Sequence, residues 1–125
     1  MAEYVDGFVL AVPKRKVEAY RRMATMAGKV WLEHGALSFR ECVADDVKKG
    51  KGWSFASSVG LKAGEVVFFS WIVYRSRAHR DRVLKKVMKD PRIVESMAAK
   101  DPPFDHERML YGGFRPIVSL DKRAR

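Results

Sequence analysis

Four segments of the chain carry apolar residues that alternate with polar ones or run together, and they are rich in β-branched and aromatic side chains. This pattern is typical of β-strands. The predicted strands are residues 4–12, 36–43, 65–74 and 108–118. Residues 53–59 predict a further short edge strand. Segment 65–74 is apolar on both alternating sets of positions, so we expect a central strand that is covered on both faces.

Helices are predicted between these strands. In residues 16–34 apolar side chains recur every three or four positions, and Gly35 is a suitable terminator. Ser76 is a favourable N-cap for a second helix that runs to about residue 89. Asp90 and Pro91 then begin a shorter helix through residue 99, because Asp caps well and Pro fits the first helical position.

The order of these elements is β-α-β-(β)-β-α-β, which is that of a ferredoxin-like split arrangement. We therefore expect an α+β fold with four main antiparallel strands and the short extra strand. The 125 residues fit one domain over residues 1–118, followed by a short basic tail over residues 119–125. Residues 45–52 predict a polar loop.

The cysteine count, the first residues and the longest apolar stretch bear on the cellular compartment of the protein. The single cysteine, Cys42, cannot form an internal disulfide, and this fits a reducing compartment. The first residues lack the basic and apolar regions of a secretory signal. The longest apolar stretch, residues 66–74, is far short of the ~20 residues of a membrane helix. We expect a cytoplasmic protein with no membrane partner.

The net charge of +10 suggests an anionic partner. Most of it lies in residues 75–100, where 9 basic residues oppose 3 acidic ones, a net of +6. On the predicted helix, Arg82, Lys85, Lys86 and Lys89 form a basic stripe that contacts phosphates in one interpretation and is a solvated face in the other. No aromatic residues interleave with the stripe and no nucleic-acid motif is present, so nucleic acid is disfavoured as a partner.

Two helices cover only one face of such a sheet, which leaves the other face apolar. That face carries either Val67, Phe69, Trp71 and Val73 or the alternating set Val66, Phe68, Ile72 and Tyr74. From the first strand we expect a set such as Tyr4, Phe8 and Leu10. A soluble monomer does not normally expose an apolar surface of this size, so we predict a homodimer packed through its sheets.

Motifs along nearly the whole chain match a known family in one specific order. They are residues 4–8 (YVDGF), 35–37 (GAL), 41–42 (EC), 69–71 (FSW) with Tyr74, 80–81 (RD), 90–92 (DPR), 103–105 (PFD), 108–109 (RM) and 111–114 (YGGF). The chain therefore resembles the YbaA-like bacterial family of unknown function. The resemblance implies the dimeric α/β barrel superfamily, in which two ferredoxin-like sheets close around a central cavity. It implies no particular activity, because a shared fold is weak evidence for shared chemistry.

Two carboxyl groups lie at apolar strand positions, where an unpaired charge is costly. Asp6 is in register with Tyr4, Phe8 and Leu10, and Glu41 alternates with Phe39 and its apolar neighbours. Asp6 and Glu41 are candidate catalytic acids or bases of a cavity, able to share a proton or bind a cation. The alternative for Asp6 is a structural salt bridge or a hydrogen bond to the backbone near Gly7. The alternative for Glu41 is a pair with Arg40, Arg108 or another arginine.

Three further residues are candidate ligand contacts. Trp71 and Tyr111 offer aromatic faces for a planar ligand, or else belong to the core or a subunit interface. Arg80 falls among the apolar positions of its helix. Its head group is either an anion clamp or the partner of a neighbouring carboxylate.

Metal and cofactor sites are not predicted. His34, His79 and His106 are far apart in sequence and lack metal-ligand spacing. The leading hypothesis is a small-molecule-binding protein or metal-free enzyme that works in the cavity of the dimeric barrel. The alternatives are a non-catalytic module that binds an anionic partner through the basic helix, and a dimer whose cavity is filled by side chains.

Overall fold

The computed structural model describes residues 3–48 and 52–122. Residues 1–2 of the predicted domain, residues 49–51 of the predicted loop and residues 123–125 of the predicted tail lie outside this part of the chain.

The four main predicted strands form one antiparallel sheet. They are β1 (Tyr4–Pro13), β2 (Ser38–Val43), β3 (Glu65–Tyr74) and β4 (Leu110–Phe114), in the spatial order β2-β3-β1-β4. The apolar strands β1 and β3 are central, paired along their whole length from Tyr4 opposite Tyr74 to Pro13 opposite Glu65. This is the ferredoxin-like α+β arrangement that the sequence predicts.

Within residues 3–48 and 52–122, four α-helices connect the strands: α1 (Val17–Glu33), α2 (Phe55–Ser58), α3 (Arg77–Val87) and α4 (Pro91–Met97). The predicted caps are confirmed. Ser76 accepts a hydrogen bond from the backbone N–H of His79, and Asp90 accepts one from that of Arg92. Gly35 follows α1 with φ of +118°, a conformation that favours glycine. No helix within the described ranges is both long and apolar enough to cross a bilayer.

The predicted edge strand at residues 53–59 is wrong, because this segment forms the one-turn helix α2. Ser54 and Ser57 bond reciprocally to each other's backbone N–H groups, and this capping box begins a helix. The Phe55 ring then contacts that of Phe69 on β3 with 6.0 Å between centroids. The segment therefore covers part of the sheet and does not extend its edge.

The last strand is shorter than the predicted 108–118. Residues His106–Arg108 form a 3-10 turn capped by Asp105, and pairing ends at Phe114 before the imino acid at position 116. The register runs through Gly112 and Gly113 without a bulge. A β-carbon on Gly113 would overlap the hydroxyl of Tyr4, so close packing explains this glycine.

The two faces of the sheet have different neighbours. The face toward α1, α3 and α4 holds the core, which includes Leu10, Phe68, Ile72 and Tyr74. The opposite face carries Val67, Phe69, Trp71 and Val73 from β3. Because Tyr4, Phe8 and Leu10 lie on the helix side, their predicted position on the open face is wrong. On β1 the open face carries the other alternating set, including Val5 and Val9.

Candidate functional site

A cleft of about 380 Å³ lies between the sheet and the helices. Its floor is formed by side chains of all four strands, and its roof by α1, α3, α4 and the connection that leads to β4. Most of the lining is apolar and aromatic or sulfur-containing, as in Phe8, Trp31, Phe39, Met97 and Phe104. Three polar side chains of the floor, Asp6, Glu41 and Ser70, interrupt this apolar surface.

Asp6 is the most deeply buried acid of the cleft, with 1% of its surface exposed. It lies on the central strand β1 and accepts a hydrogen bond of 2.8 Å from Nη1 of Arg80. Burial raises the pKa of Asp6 above its ordinary value, although the charge of Arg80 and a hydrogen bond from Tyr74 oppose the shift. Asp6 therefore forms a structural ion pair, which is one of the alternatives that the sequence left open. This pair is buried inside the protein.

Arg80 connects this acid to the edge strand. It lies in the first turn of α3, with 12% of its side chain exposed. Its guanidinium group donates to the hydroxyl of Tyr111 over 3.1 Å and lies 4.9 Å from the ring centre of Tyr4. A cation near a helix N-terminus is unfavourable, and the carboxylates of Asp6 and Asp81 offset that cost.

Glu41 occupies a different part of the floor, on β2. The Tyr20 hydroxyl of α1 donates to its Oε1 atom over 2.8 Å. Burial raises the pKa of Glu41, while hydrogen bonds from Tyr20 and Ser70 lower it less strongly. Within residues 3–48 and 52–122, no Lys, Arg or His forms an ion pair with Glu41.

The structure brings together most of the predicted site residues. Asp6, Glu41 and Tyr111 line the cleft, and Arg80 contacts two of them. Trp71 lies on the opposite face of the sheet, because it alternates with the cleft residues Ser70 and Ile72. The prediction that it lines the same site as Asp6 is therefore wrong.

Asp6 and Glu41 do not form a dyad. Asp6 pairs with Ile72 across β1 and β3, whereas Glu41 pairs with Ser70 across β2 and β3. Two strand spacings and a two-residue offset separate their backbones by about 12 Å. Each carboxyl has its own partner, Arg80 for one and Tyr20 for the other. Sharing of one proton, which the sequence leaves open, has no support in this geometry.

Tyr20, Ser70 and His106 also line the cleft and were not predicted as site residues. Tyr20 falls on the apolar stripe of α1, a position typical of a core residue. A buried tyrosine hydroxyl needs a hydrogen-bond partner, and that requirement was the available signal. Glu41 raises the pKa of Tyr20 in addition to the effect of burial.

The histidines occupy separate environments. His34 bonds to Asp90 over 2.9 Å, and Nδ1 of His79 accepts the backbone N–H of Arg75 over 2.9 Å. Burial lowers the pKa of His79, with the charges of Arg75 and Arg82 acting in the same direction. No cluster of three or more His, Cys, Asp or Glu side chains suited to a metal ion occurs in the described part of the chain.

The basic stripe is exposed: Arg82, Lys85 and Lys86 lie on the outer face of α3, and Lys89 follows the end of this helix. Lys85 and Lys86 fall in the last turn of the helix. Cations are favourable there because of the helix dipole. The stripe therefore has a local structural explanation that needs no anionic partner.

Comparison with known proteins places the chain in a family. Residues 3–106 match the family described as protein of unknown function (DUF1428). The chain belongs to this family. It is 47% identical over 116 residues to the uncharacterized protein YbaA of Escherichia coli strain K12, covering 93% of this chain and 97% of that protein. A relative with the same description from Shigella flexneri matches to the same extent. DUF1428 has no assigned activity in these descriptions.

A solved structure supports the fold of this DUF1428 protein. It is described as a dimeric ferredoxin-like protein from an uncultured marine organism, and it superposes with a TM-score of 0.56 over 98% of this chain and 100% of that one. The two sequences are 11% identical. At that identity the likeness extends to the fold alone.

The buried ion pair yields a test of the Asp6 environment. Arg80→Leu leaves the Asp6 carboxylate unpaired in the interior, so we expect a loss of about 3 kcal/mol in the free energy of unfolding at pH 7. The double variant Asp6→Asn with Arg80→Leu should recover most of this loss, because no buried charge remains. Urea denaturation of the three proteins gives the comparison, with Arg82→Leu on the exposed side of α3 as the control.

The same variants have a defined pH dependence. The pKa of Asp6 is higher in the folded chain than its ordinary value. The neutral form of Asp6 therefore makes its full contribution to stability below about pH 4. This contribution is lost as the pH rises through the pKa that Asp6 has in the folded chain. Loss of Arg80 raises that pKa further, so the defect of Arg80→Leu should shrink on acidification toward pH 4. A loss of stability in Arg80→Leu that does not change with pH would contradict the raised pKa of Asp6.

Proposed function

We propose that the protein binds a small, mainly apolar molecule in the cleft between the sheet and the helices. The observation that carries the proposal is a cleft of about 380 Å³ whose apolar walls surround the carboxyl groups of Asp6 and Glu41. Ligand pockets have volumes of about 300–1,000 Å³ and combine apolar walls with a few placed polar groups. The cleft has both properties.

The polar floor distinguishes this cleft from a packing defect. Burying a carboxyl group costs free energy, and a core selected only for stability would place apolar residues at these positions. Glu41 keeps its pKa raised in spite of two hydroxyl partners. Retention of such a residue at a cavity wall fits a role in binding or proton exchange.

The residues divide into contacting and positioning groups. Glu41 and Tyr111 border the cleft and would contact the ligand. Asp6 orients Arg80, which in turn holds the hydroxyl of Tyr111. Were the bound molecule to react, Glu41 is the group suited to exchange a proton with it without a metal. Binding is our conclusion for the site, and metal-free catalysis is the second candidate.

We further propose that the protein is a homodimer that packs through the open face of the sheet. Phe69 and Phe114 on this face are 44% and 63% exposed, and Trp71 packs beside Phe69 with 5.6 Å between ring centres. Within the described ranges, residues 55–61 cover part of the face, with Phe55 against Phe69 and with Val59 and Leu61 around Ala11 and Val67. The structural neighbour is described as dimeric, which supports the same assembly here. Two such sheets, face to face, would form the barrel that the family resemblance implies.

In this arrangement the proposed ligand cleft and the proposed subunit contact lie on opposite faces of the sheet. The sequence-based hypothesis had placed the ligand in the cavity of the dimeric barrel. The proposed ligand cleft lies within each protomer, on the helix side of the sheet. The apolar face with Trp71 belongs to the proposed subunit contact. Each subunit would therefore carry its own binding site.

Ligand binding can be tested with the fluorescent probe N-phenyl-1-naphthylamine, which is neutral and mainly apolar. We expect saturable binding of one probe per chain, because the cleft occurs once in each protomer. Ala27 lies on α1 in the wall of the cleft, so Ala27→Phe should fill the space and abolish binding. The control is Ala99→Phe, the same substitution at an exposed position after α4.

Thermal unfolding of both variants shows whether they remain folded. A folded Ala27→Phe protein that binds the probe as well as Ala99→Phe does would refute the cleft as the site. The absence of saturable binding to the unsubstituted protein would refute the proposal as a whole.

The dimer is tested by light scattering at micromolar concentration. We expect twice the mass of one chain for the unsubstituted protein and a single-chain mass for Phe69→Glu, since the new charge would be buried at the contact. Val94→Glu is the control, because Val94 is also half-exposed but lies on α4, away from the open sheet face. A monomeric unsubstituted protein, or a dimeric Phe69→Glu protein, would contradict the arrangement.

A further inference from the structure

Glu41 has a hydrogen-bonding capacity that its neighbours do not exhaust. An ionised carboxylate offers about four acceptor positions. Tyr20 occupies one of them over 2.8 Å, and Ser70 is the other hydrogen-bonding side chain. Both partners are neutral hydroxyl groups. The remaining acceptor positions are available to a donor that enters the cleft.

Glu41 has no positively charged side chain within ion-pair distance in the described part of the chain. Asp6 has Arg80 as its ion partner, and the buried Asp90 has Arg92. Glu41 has no such partner among residues 3–48 and 52–122. A carboxylate in an apolar wall without a cation is an unfavourable arrangement in the free protein. A cationic ligand would pair with the Glu41 carboxylate and reduce the free-energy cost of its burial.

Besides Asp6, Glu41 and Tyr20, three charged or titratable side chains line the cleft: Arg40, His106 and Tyr111, whose hydroxyl accepts from Arg80. Nη1 of Arg40 donates to the backbone oxygen of Phe39 over 3.2 Å, and its side chain is exposed. His106 packs against the Phe104 ring with 4.3 Å between centroids. Neither forms an ion pair with Glu41 in this part of the chain. The cleft therefore contains two acids: Asp6, which is paired with Arg80, and Glu41, which has no ion-pair partner among residues 3–48 and 52–122.

Aromatic rings near Glu41 suit the same kind of ligand. Tyr20 is its hydrogen-bond partner, and Trp31 and Phe39 line the same cleft with 6.0 Å between their ring centres. Aromatic faces attract cations and also pack well against flat apolar groups. An ammonium group has three donors and no acceptor, so it matches a carboxylate with free acceptor positions.

We infer that the cleft selects an organic amine: an apolar, ring-containing body with one ammonium group bound at Glu41. This inference rests on the proposed small-molecule function and names the class of its ligand. The net charge of +10 repels cations at long range, so a preference for an amine would arise at the site itself. Physiological ionic strength screens the long-range contribution.

Three probes with one naphthalene ring and different head groups test the inference. They are 1-naphthylmethylamine, 1-naphthalenemethanol and 1-naphthoate, which are cationic, neutral and anionic at pH 7. Calorimetric titration at physiological salt should give an affinity for the amine at least about tenfold above that for the alcohol, as expected for a charge-assisted hydrogen bond. The carboxylate should bind most weakly.

Variants assign the preference to Glu41. Glu41→Gln should abolish the difference between amine and alcohol and leave the affinity for the alcohol almost unchanged. Glu95→Gln, an exposed acid on α4, should preserve the preference. Tyr20→Phe keeps the ring and removes one donor from the Glu41 carboxylate, so it should increase the preference for the amine over the alcohol. Where Glu41→Gln fails to fold, an unchanged or smaller preference in Tyr20→Phe would overturn the inference.

The outcomes separate the inference from the proposed function. Equal binding of amine and alcohol, or tightest binding of the carboxylate, would overturn the inference while leaving a functional cleft. A preference for the amine that survives in Glu41→Gln would also overturn it. If none of these probes nor N-phenyl-1-naphthylamine binds, the proposed function fails and the inference fails with it.

Discussion

Burial of the Asp6 carboxylate in the central strand constrains much of the surrounding structure. A charge with 1% exposure needs an oppositely charged partner, and Arg80 reaches it from the first turn of α3. The same guanidinium group holds the Tyr111 hydroxyl and lies over the Tyr4 ring. Opposite Asp6 on β4 stands Gly113, whose missing side chain leaves room for the hydroxyl of Tyr4. One ion pair thus joins β1, β4 and α3 at one end of the cleft.

The two-residue alternation of β1 and β3 gives the sheet two faces with different surroundings. One set of side chains packs under the helices and forms the floor of the cleft, with Phe8, Leu10, Ser70 and Ile72. The other set, which includes Phe69 and Trp71, faces away from the helices. A slip of one residue would exchange the sets and expose the buried acid. The proposed ligand site and the proposed subunit contact are therefore consequences of the same register.

Much of the fold could be predicted from the sequence because its signals are local. Apolar patterns indicated the four strands, and Ser76, Gly35 and the Asp90-Pro91 pair indicated helix ends. Residues 53–59 were misassigned because a serine capping box outweighed the strand propensity of the segment. The face of each strand is a tertiary property, so Trp71 was placed with Asp6 although the helices pack on the other side. Tyr20 and Ser70 were missed for the same reason, since their relation to Glu41 exists only after α1 packs on the sheet.

The central claim is that the cleft between the sheet and the helices is the functional site. The NMR shifts of the methionine methyl groups on addition of a ligand test this claim most directly. Met23, Met88, Met97 and Met109 line the cleft, whereas Met26 lies on α1 outside it. NMR spectra of protein labelled with ¹³C at its methionine methyl groups can be recorded with and without N-phenyl-1-naphthylamine. Our account predicts saturable shifts at Met23, Met88, Met97 and Met109 and little change at Met26. Shifts at Met26 as large as those of the cleft residues, or no shift at any of them, would contradict it.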